Sequence, residues 1–118
     1  MTILTILTML AISGGTFDLQ RPHLVIGQGL VESGMNQYAV GKDKDKGAFQ
    51  VIEKYWGKVP KDMASQAKQN ERIVDTLLAE NDGDLFTAIC RYNGSGEQAV
   101  RYAALVRQKT IELCLMEV

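Results

Sequence analysis

Glu32 is the residue of this sequence best suited by its position to acid–base chemistry. It closes an apolar stretch that includes Leu30 and Val31, and Met35 follows three residues later. The pattern predicts that Glu32 lies in the last turn of a helix, where unpaired carbonyls and the macrodipole disfavour a negative charge by about 0.3–1 kcal/mol. Apolar neighbours disfavour the charge further, and both effects raise the carboxyl pKa toward neutral pH. A carboxyl group with such a pKa can act as a general acid.

Two glycines, Gly27 and Gly29, lie on the same predicted helix as Glu32. A glycine in a helix interior costs about 1 kcal/mol relative to alanine. That cost is explained if another part of the backbone, or a ligand, approaches the helix closely at these positions. In the alternative interpretation the glycines only weaken the helix, and Glu32 is a surface residue at its frayed end. These physical arguments alone leave both interpretations open.

The composition excludes several other kinds of chemistry. A chain of 118 residues with 46% apolar and 23% charged residues suits one globular domain. Its net charge of −1 provides no basic field for nucleic acid, so we expect no nucleic-acid partner. His23 is the only histidine, and Cys90 and Cys114 lack metal-ligand spacing, so we expect no metal and no cofactor. We expect two buried free thiols, with a Cys90–Cys114 disulfide as the alternative.

Hydrophobic periodicity and chain breakers predict an all-α domain of five to six helices. Pro22 is predicted to open the second helix and Gly34 to end it, and Asp84 is a natural N-cap. The segment 36–50 is rich in Gly, Lys and Asp, so we predict an irregular loop there, with a small irregular hairpin at residues 38–50. The predicted helices are 2–13, 22–33, 51–56, 64–80, 85–92 and 97–115.

The first twelve residues, MTILTILTMLAI, have the composition of a signal-peptide core. They lack a preceding positive region, because the first basic residue is Arg21, and the run is too short to span a bilayer. We therefore predict an apolar first helix at residues 1–13, buried within a single domain that covers residues 1–118. A targeting or membrane-contacting role of this segment is the alternative.

Three short motifs follow one another along the chain: ESGMN at 32–36, GAFQV at 47–51 and ICRYNG at 89–94. Together they resemble the E-S-x-x-N, G-x-F-Q and A-Y-N-x-G motifs of the lytic transglycosylases of the lysozyme-like superfamily. The nearest similarity is to the small cell-wall-opening enzymes of conjugation systems, secretion systems and phages. The resemblance spans residues 20–106 and implies a lysozyme-like fold. The sequence departs from the pattern at Arg91, which replaces a small residue.

The resemblance implies a role for each motif residue. Glu32 would protonate the glycosidic oxygen between N-acetylmuramic acid and N-acetylglucosamine, and would then take the proton of the muramoyl 6-hydroxyl, so that a 1,6-anhydro ring closes. Tyr92 would orient the Glu32 carboxyl group, and Asn93 would hold the turn that presents Tyr92. Ser33 would bind near Glu32 or the substrate, or else cap its helix. Gln50 would donate to the sugar, or else hold its own turn.

Asp45, two residues before the GAFQV motif, is compatible with a different reaction. In animal-type lysozymes, which the segment also resembles, an aspartate at this offset is the second carboxylate. Glu32 and Asp45 would then hydrolyse the bond, with carboxyl groups about 5–5.5 Å apart for retention or about 6.5–9.5 Å for inversion. The alternating charges of residues 42–46 are equally typical of a solvated loop.

The resemblance also implies where the protein acts and on what. Its partner would be the glycan strands of peptidoglycan, and we expect a monomer acting at the cell wall, on the periplasmic or extracellular side. A phage particle or a secretion or conjugation machine would carry it there, since no convincing cleaved signal peptide is present. A non-catalytic lysozyme-fold module that binds glycan or builds a virion is the alternative. Trp56 and Tyr102 would line the sugar groove or belong to the core.

Overall fold

The computed structural model describes residues 19–116, so the predicted helix at residues 1–13 lies outside the described residues. Within this range the chain forms five helices and no regular strand, which confirms the helix-dominated architecture. No helix among these residues is long and apolar enough to cross a membrane. The helices are α1 (Pro22–Ser33), α2 (Glu53–Trp56), α3 (Met63–Glu80), α4 (Leu85–Asn93) and α5 (Glu97–Met116).

Chain breakers and caps place the helix ends close to where the sequence predicts them. α1 begins at Pro22, whose missing N–H is not needed in a first turn, and ends before Gly34, which adopts the left-handed conformation with φ 69°. Asp84 caps α4 by accepting a hydrogen bond at 3.2 Å from the amide of the third helical residue. Asp62 caps α3 in the same way at 2.9 Å, a cap that the sequence analysis did not name.

The beginning of α1 is capped from another helix. Its N-cap residue, Arg21, makes no side-chain capping bond. The carboxylate of Glu71, on α3, instead accepts the backbone amides of Arg21 at 2.7 Å and Gln20 at 3.1 Å. The Arg21 guanidinium pairs with Asp75 at 2.9 Å. Because a carboxylate is stabilised by the unpaired amides of a helix N-terminus, α3 anchors the start of the helix that carries Glu32.

The core fixes the GAFQV motif against α1. Phe49 is 1% exposed and belongs to the same buried cluster as Val25 and Ile26 of α1. Full burial of one such side chain stabilises the fold by about 1.5–3 kcal/mol. A second cluster, which includes Tyr102 and Ile89, joins α3, α4 and α5. The loop and the last turn of α1 therefore occupy defined positions relative to the other helices.

The two helical glycines allow close approach of other parts of the chain. A Cβ atom at Gly27 would lie 2.6 Å from Thr110 Oγ1 and 3.2 Å from the Thr110 backbone nitrogen, on α5. A Cβ atom at Gly29 would overlap Met35 Sδ and lie 2.9 Å from Phe49 Cε1. The interpretation that these glycines permit close packing is confirmed.

The segment predicted as a loop or small hairpin is a loop with isolated pairings. Val40 pairs with Lys46, and Lys46 with Val51, as single antiparallel bridges. The hairpin at residues 38–50 is thus reduced to these bridges, because positive φ angles at Lys44 (63°) and Gly47 (80°) interrupt the extended backbone. Regular pairing cannot extend through such turns.

The buried side chain of Gln66, on α3, holds this loop through hydrogen bonds. Its side chain is only 2% exposed, and its Oε1 accepts the Ala48 amide at 2.9 Å. Its Nε2 donates to the carbonyls of Gln37 at 3.1 Å and Pro60 at 2.8 Å. One buried amide thereby satisfies three backbone groups that a regular sheet would otherwise have to pair. No sequence motif or periodicity predicts this role of Gln66.

Both cysteines are free. Cys90 is buried in α4, whereas Cys114 is exposed on α5. The expectation of free thiols is confirmed, and the disulfide alternative is not found. The expectation that both are buried is wrong for Cys114, because this residue lies on the solvent-facing side of the last helix.

Gly27→Ala should destabilise the protein, although alanine is the better helix former. Helix propensity alone favours alanine by about 1 kcal/mol, but the new methyl group meets the side chain and backbone of Thr110, and such overpacking costs about 1–3 kcal/mol. Chemical denaturation of the purified variant measures the net change in unfolding free energy.

Thr110→Ala provides the control for this prediction. It removes the nearer of the two obstacles, so the double variant should lose less stability than the sum of the two single variants. A stabilised Gly27→Ala protein, or strictly additive effects, would show that α1 and α5 are not in close contact at this position.

Candidate active site around Glu32

Glu32 is the penultimate residue of α1 and is partly buried. Burial raises the pKa of its carboxyl group to about 7, because removal from water disfavours the charged form. A hydrogen bond from Tyr102 acts in the opposite direction, and the charge of Asp45 raises the pKa further. The raised pKa expected from the sequence is confirmed, so the group is about half protonated near neutral pH.

The hydroxyl group that contacts Glu32 belongs to Tyr102. It donates to Glu32 Oε2 at 2.8 Å, from a side chain on α5 that is 8% exposed. Burial and the neighbouring Glu32 charge raise the pKa of Tyr102 far above its ordinary value, so it stays a proton donor throughout the physiological range. Of the two sequence interpretations of Tyr102, the core position fits, and it brings the hydroxyl to the acid from inside.

The prediction that Tyr92 orients Glu32 by direct contact is wrong. The Tyr92 hydroxyl donates to the backbone carbonyl of Phe49 at 2.8 Å. Burial raises its pKa above the ordinary value, the Asn70 side chain lowers it and the charge of Glu32 raises it. Tyr92 therefore lies near Glu32 but uses its proton to hold the GAFQV loop, because α4 ends where that carbonyl is within reach.

Ser33 joins the first motif to the second. Its hydroxyl donates to the carbonyl of Ala48 at 2.7 Å and accepts the amide of Asn36 at 2.9 Å. The local role at the helix end is thus combined with a contact to the loop. Ser33 and Tyr92 together bond to two consecutive carbonyls of the GAFQV motif, which brings the three sequence motifs together at one place.

Gln50 and Asp45 lie side by side over Gly41. A Cβ atom at Gly41 would collide with the Asp45 carboxylate and with Gln50 Oε1. Gln50 Nε2 donates to the Gly47 carbonyl at 2.9 Å, so the turn-holding alternative fits this side chain. The Asp45 carboxylate accepts the Asp43 amide at 3.3 Å and acts on the pKa of Glu32. Asp45 therefore belongs to the electrostatic surroundings of the acid.

Asn93 is the exposed last residue of α4. The turn after Tyr92 is held by other groups: the Gly94 amide donates to the Cys90 carbonyl at 3.0 Å, and the Arg91 guanidinium reaches the Gly94 carbonyl at 3.5 Å. The prediction that the Asn93 side chain holds this turn is not supported by a hydrogen bond within residues 19–116. Arg91, which departs from the motif pattern, is exposed and needs no buried partner.

Two buried amides behind Tyr102 were missed by the sequence analysis. Gln28 and Asn70 are both 0% exposed. Gln28 Nε2 donates to the Tyr102 hydroxyl oxygen at 3.0 Å, and Asn70 Nδ2 donates to Gln28 Oε1 at 2.9 Å. Gln28 precedes Glu32 by four residues, so the two lie on the same face of α1. A glutamine within the apolar stretch LVIGQGLV was the available signal.

Other features of the described residues lie apart from Glu32. An apolar cavity of about 400 Å³, lined among others by His23, Phe86 and Ile111, opens at the opposite end of α1. At a rise of about 1.5 Å per residue, that end lies about 15 Å from Glu32.

Within residues 19–116 no group of three or more His, Cys, Asp or Glu side chains is placed to hold a metal ion. Trp56 is 37% exposed on α2.

The arrangement can donate a proton and take one back. Glu32 is balanced between its two protonation states, Tyr102 supplies a hydrogen bond that favours the carboxylate, and Asp45 adds a negative charge nearby. No protein-family model, curated protein or solved structure matches this chain. The geometry around Glu32 and the motif resemblance are therefore the indications of function.

Glu32→Gln should make the protein more stable at alkaline pH. The wild-type pKa is raised from 4.5 to about 7, so the native state binds the proton more tightly than the unfolded state. The wild type therefore loses stability as the pH rises through this window, by up to about 3 kcal/mol in total. The neutral glutamine avoids this loss. Denaturant unfolding at about pH 4 and about pH 8 should show a stabilisation that appears only at the higher pH.

Glu53→Gln is the control of opposite sign. The ammonium group of Lys46, 2.7 Å from the Glu53 carboxylate, and the Val59 amide hold the Glu53 pKa below its usual range. Its charge therefore stabilises the fold above that range, and the glutamine variant should be the less stable protein at about pH 8. Equal pH dependence in Glu32→Gln and the wild type would contradict a buried, destabilised Glu32 carboxylate.

Proposed function

We propose that this chain is a peptidoglycan lytic transglycosylase with a lysozyme-like fold, in which Glu32 acts first as general acid and then as general base. The observation that carries the proposal is the Glu32 carboxyl group with a pKa of about 7, hydrogen-bonded by Tyr102 beside the GAFQV loop. A general acid works best when its pKa lies near the working pH. The three motifs meet next to Glu32, through the bonds that Ser33 and Tyr92 make to the GAFQV carbonyls, and this supports the same assignment.

The reaction would proceed in two proton transfers. Protonated Glu32 donates to the glycosidic oxygen between N-acetylmuramic acid and N-acetylglucosamine, and the bond from that oxygen to the muramoyl C1 breaks. The substrate's acetamido group stabilises the resulting cation, as in other substrate-assisted glycosidases. The Glu32 carboxylate then removes the proton of the muramoyl 6-hydroxyl, whose oxygen bonds to C1. The 1,6-anhydro ring closes, Glu32 is again protonated, and no water is consumed.

Tyr102 would stabilise the intermediate state of this cycle. After the first transfer Glu32 carries a negative charge in a partly buried position, which is unfavourable without a donor. The Tyr102 hydroxyl, 2.8 Å from Oε2, supplies that donor in advance. Its own pKa is too high for it to lose its proton, so it cannot replace Glu32 as the acid.

The proposed substrate also defines the proposed place of action. Peptidoglycan strands lie outside the cytoplasmic membrane, so the protein would act on the cell wall. It would act there as a monomer, and a phage particle or secretion or conjugation machinery would deliver it. This part of the proposal relies on the motif resemblance.

A hydrolytic muramidase is the second candidate, because Asp45 acts electrostatically on Glu32. In that reaction Asp45 would serve as nucleophile or stabilise the cation, and water would complete the cleavage. The two reactions leave different ends on the same strand: an anhydro end in the first, a reducing end in the second.

Digestion of purified peptidoglycan, with mass spectrometry of the released fragments, tests the proposal. The wild type should release anhydro-muramoyl products, with a rate that falls above about pH 7 as Glu32 loses its proton. Glu32→Gln should lower the rate by at least about 100-fold. Asp45→Asn should keep the anhydro products, and its rate should fall at a lower pH than in the wild type because the repulsion on Glu32 is removed.

Asp43→Asn is the matched control for Asp45, since it removes the same charge from the same exposed loop. Reducing ends, together with a loss of about 100-fold or more in Asp45→Asn but not in Asp43→Asn, would establish the muramidase instead. If the wild type releases nothing and Glu32→Gln binds insoluble peptidoglycan as the wild type does, the chain is a non-catalytic glycan-binding module.

A further inference from the structure

The amides of Gln28 and Asn70 lie in the core, where apolar side chains would pack without polar requirements. Both residues are 0% exposed, and Tyr102 beyond them is 8% exposed. A buried amide costs free energy unless it is hydrogen-bonded, so a polar pair at this depth needs a reason beyond packing. The reason is which group donates and which accepts in each hydrogen bond of this pair.

The donor-to-acceptor direction of these hydrogen bonds is set first by the Phe49 carbonyl, which can only accept. The Phe49 carbonyl receives the Tyr92 hydroxyl proton at 2.8 Å. The oxygen of Tyr92 is thereby left as an acceptor, and the Asn70 side chain lowers the Tyr92 pKa, which is the effect of a donor. Asn70 Nδ2 also donates to Gln28 Oε1 at 2.9 Å. Both contacts require the nitrogen side of Asn70, and its Oδ1 has no hydrogen-bond partner among the described residues.

The hydrogen bonds from Asn70 through Gln28 and Tyr102 to Glu32 all have a fixed donor and acceptor. Because Gln28 Oε1 is occupied by Asn70, Gln28 presents its Nε2 to the Tyr102 oxygen, at 3.0 Å. A phenol has one proton, and its oxygen is already accepting here. The remaining direction for that proton is Glu32 Oε2, at 2.8 Å.

We propose that Gln28 and Asn70 are positioning residues whose amides fix the orientation of the Tyr102 hydroxyl, so that its proton is always directed at Glu32. The catalytic meaning of this inference rests on the proposed function, whereas the orientation can be measured without any activity. A turned Gln28 amide would offer Oε1 to Tyr102 and divert the proton from the acid. Asn70 prevents that turn by occupying Oε1.

The orientation matters because the other influences on Glu32 all favour its protonated form. Tyr102 faces it from α5, Tyr92 from α4 and Asp45 from the loop. Of these, only Tyr102 supplies a donor, while burial and Asp45 disfavour the charge. A donor to the phenol oxygen also polarises the hydroxyl and strengthens the bond it makes to the carboxylate. Loss of the orientation should therefore move the titration of Glu32 to higher pH.

Titration of the Glu32 carboxyl group by ¹³C NMR, assigned with Glu32→Gln, tests this inference. Tyr102→Phe should raise the midpoint by roughly one pH unit, since a hydrogen bond to a charged group is lost. Asn70→Leu should raise it toward the same value, because Gln28 is then free to accept the Tyr102 proton. If cleavage is observed, the fall in rate at alkaline pH should move upward with the midpoint.

Gln69→Leu is the matched control, since it removes a neighbouring amide of α3 that is 5% exposed and donates to the Lys58 carbonyl at 3.2 Å. It should lower stability but leave the Glu32 midpoint unchanged. An unchanged midpoint in folded Asn70→Leu overturns the inference, even if the wild type cleaves peptidoglycan. A raised midpoint in Asn70→Leu supports it, even if the wild type cleaves nothing and the proposed function fails.

A measurement on the wild type decides the matter if Asn70→Leu does not fold. At a pH well above the Glu32 midpoint, where the carboxylate carries no proton of its own, its ¹³C signal should shift between H₂O and D₂O, because the Tyr102 hydroxyl proton is directed at it. The Gln28 side-chain amide protons should exchange slowly. Absence of the isotope shift, or exchange of the Gln28 protons at the rate of free glutamine, overturns the inference.

Discussion

The arrangement around Glu32 depends on a partly buried carboxyl group at the C-terminal end of α1, where a negative charge is unfavourable. Burial raises the pKa of this carboxyl group to about 7, and the charge of Asp45 acts in the same direction. The fold accommodates this group with one hydrogen bond from Tyr102, at 2.8 Å. The position of α1 must be well defined for that distance to hold. Glu71 secures its beginning through two backbone amides, and Gly27 lets α5 approach its middle.

The loop at residues 36–50 owes its shape partly to side chains from outside it. Residues 36–50 pair with one another only through turn hydrogen bonds and isolated bridges, so some of their backbone groups need partners elsewhere. Gln66 from α3, Ser33 from α1 and Tyr92 from α4 provide them. The loop can therefore carry Asp45 and Gln50 at a defined place without the regular strands that usually support such a segment.

Local features were predictable from the sequence because their causes are local. Pro22 and Gly34 bound α1 through their own backbone preferences, and burial, the largest cause of the raised Glu32 pKa, is suggested by the apolar residues next to it. The partners of Glu32 were not predictable in this way. Whether Tyr92 or Tyr102 meets the carboxyl group depends on how α4 and α5 pack, which periodicity does not reveal. The cap supplied by Glu71 lies 50 residues from Arg21 and has the same kind of cause.

The hydrogen bonds that Ser33 and Tyr92 make to adjacent carbonyls have a consequence for how such a sequence can change over time. Their partners, Ala48 and Phe49, accept these bonds through backbone carbonyls, so the bonds do not depend on the identity of the loop side chains. The core constrains Ala48 and Phe49 separately, because both side chains are buried. Replacement of either hydroxyl would remove the hydrogen bond from one of these two backbone carbonyls. Descendants of this chain could therefore exchange the exposed side chains of the loop one at a time, but would have to replace the serine and tyrosine together with the path of the loop.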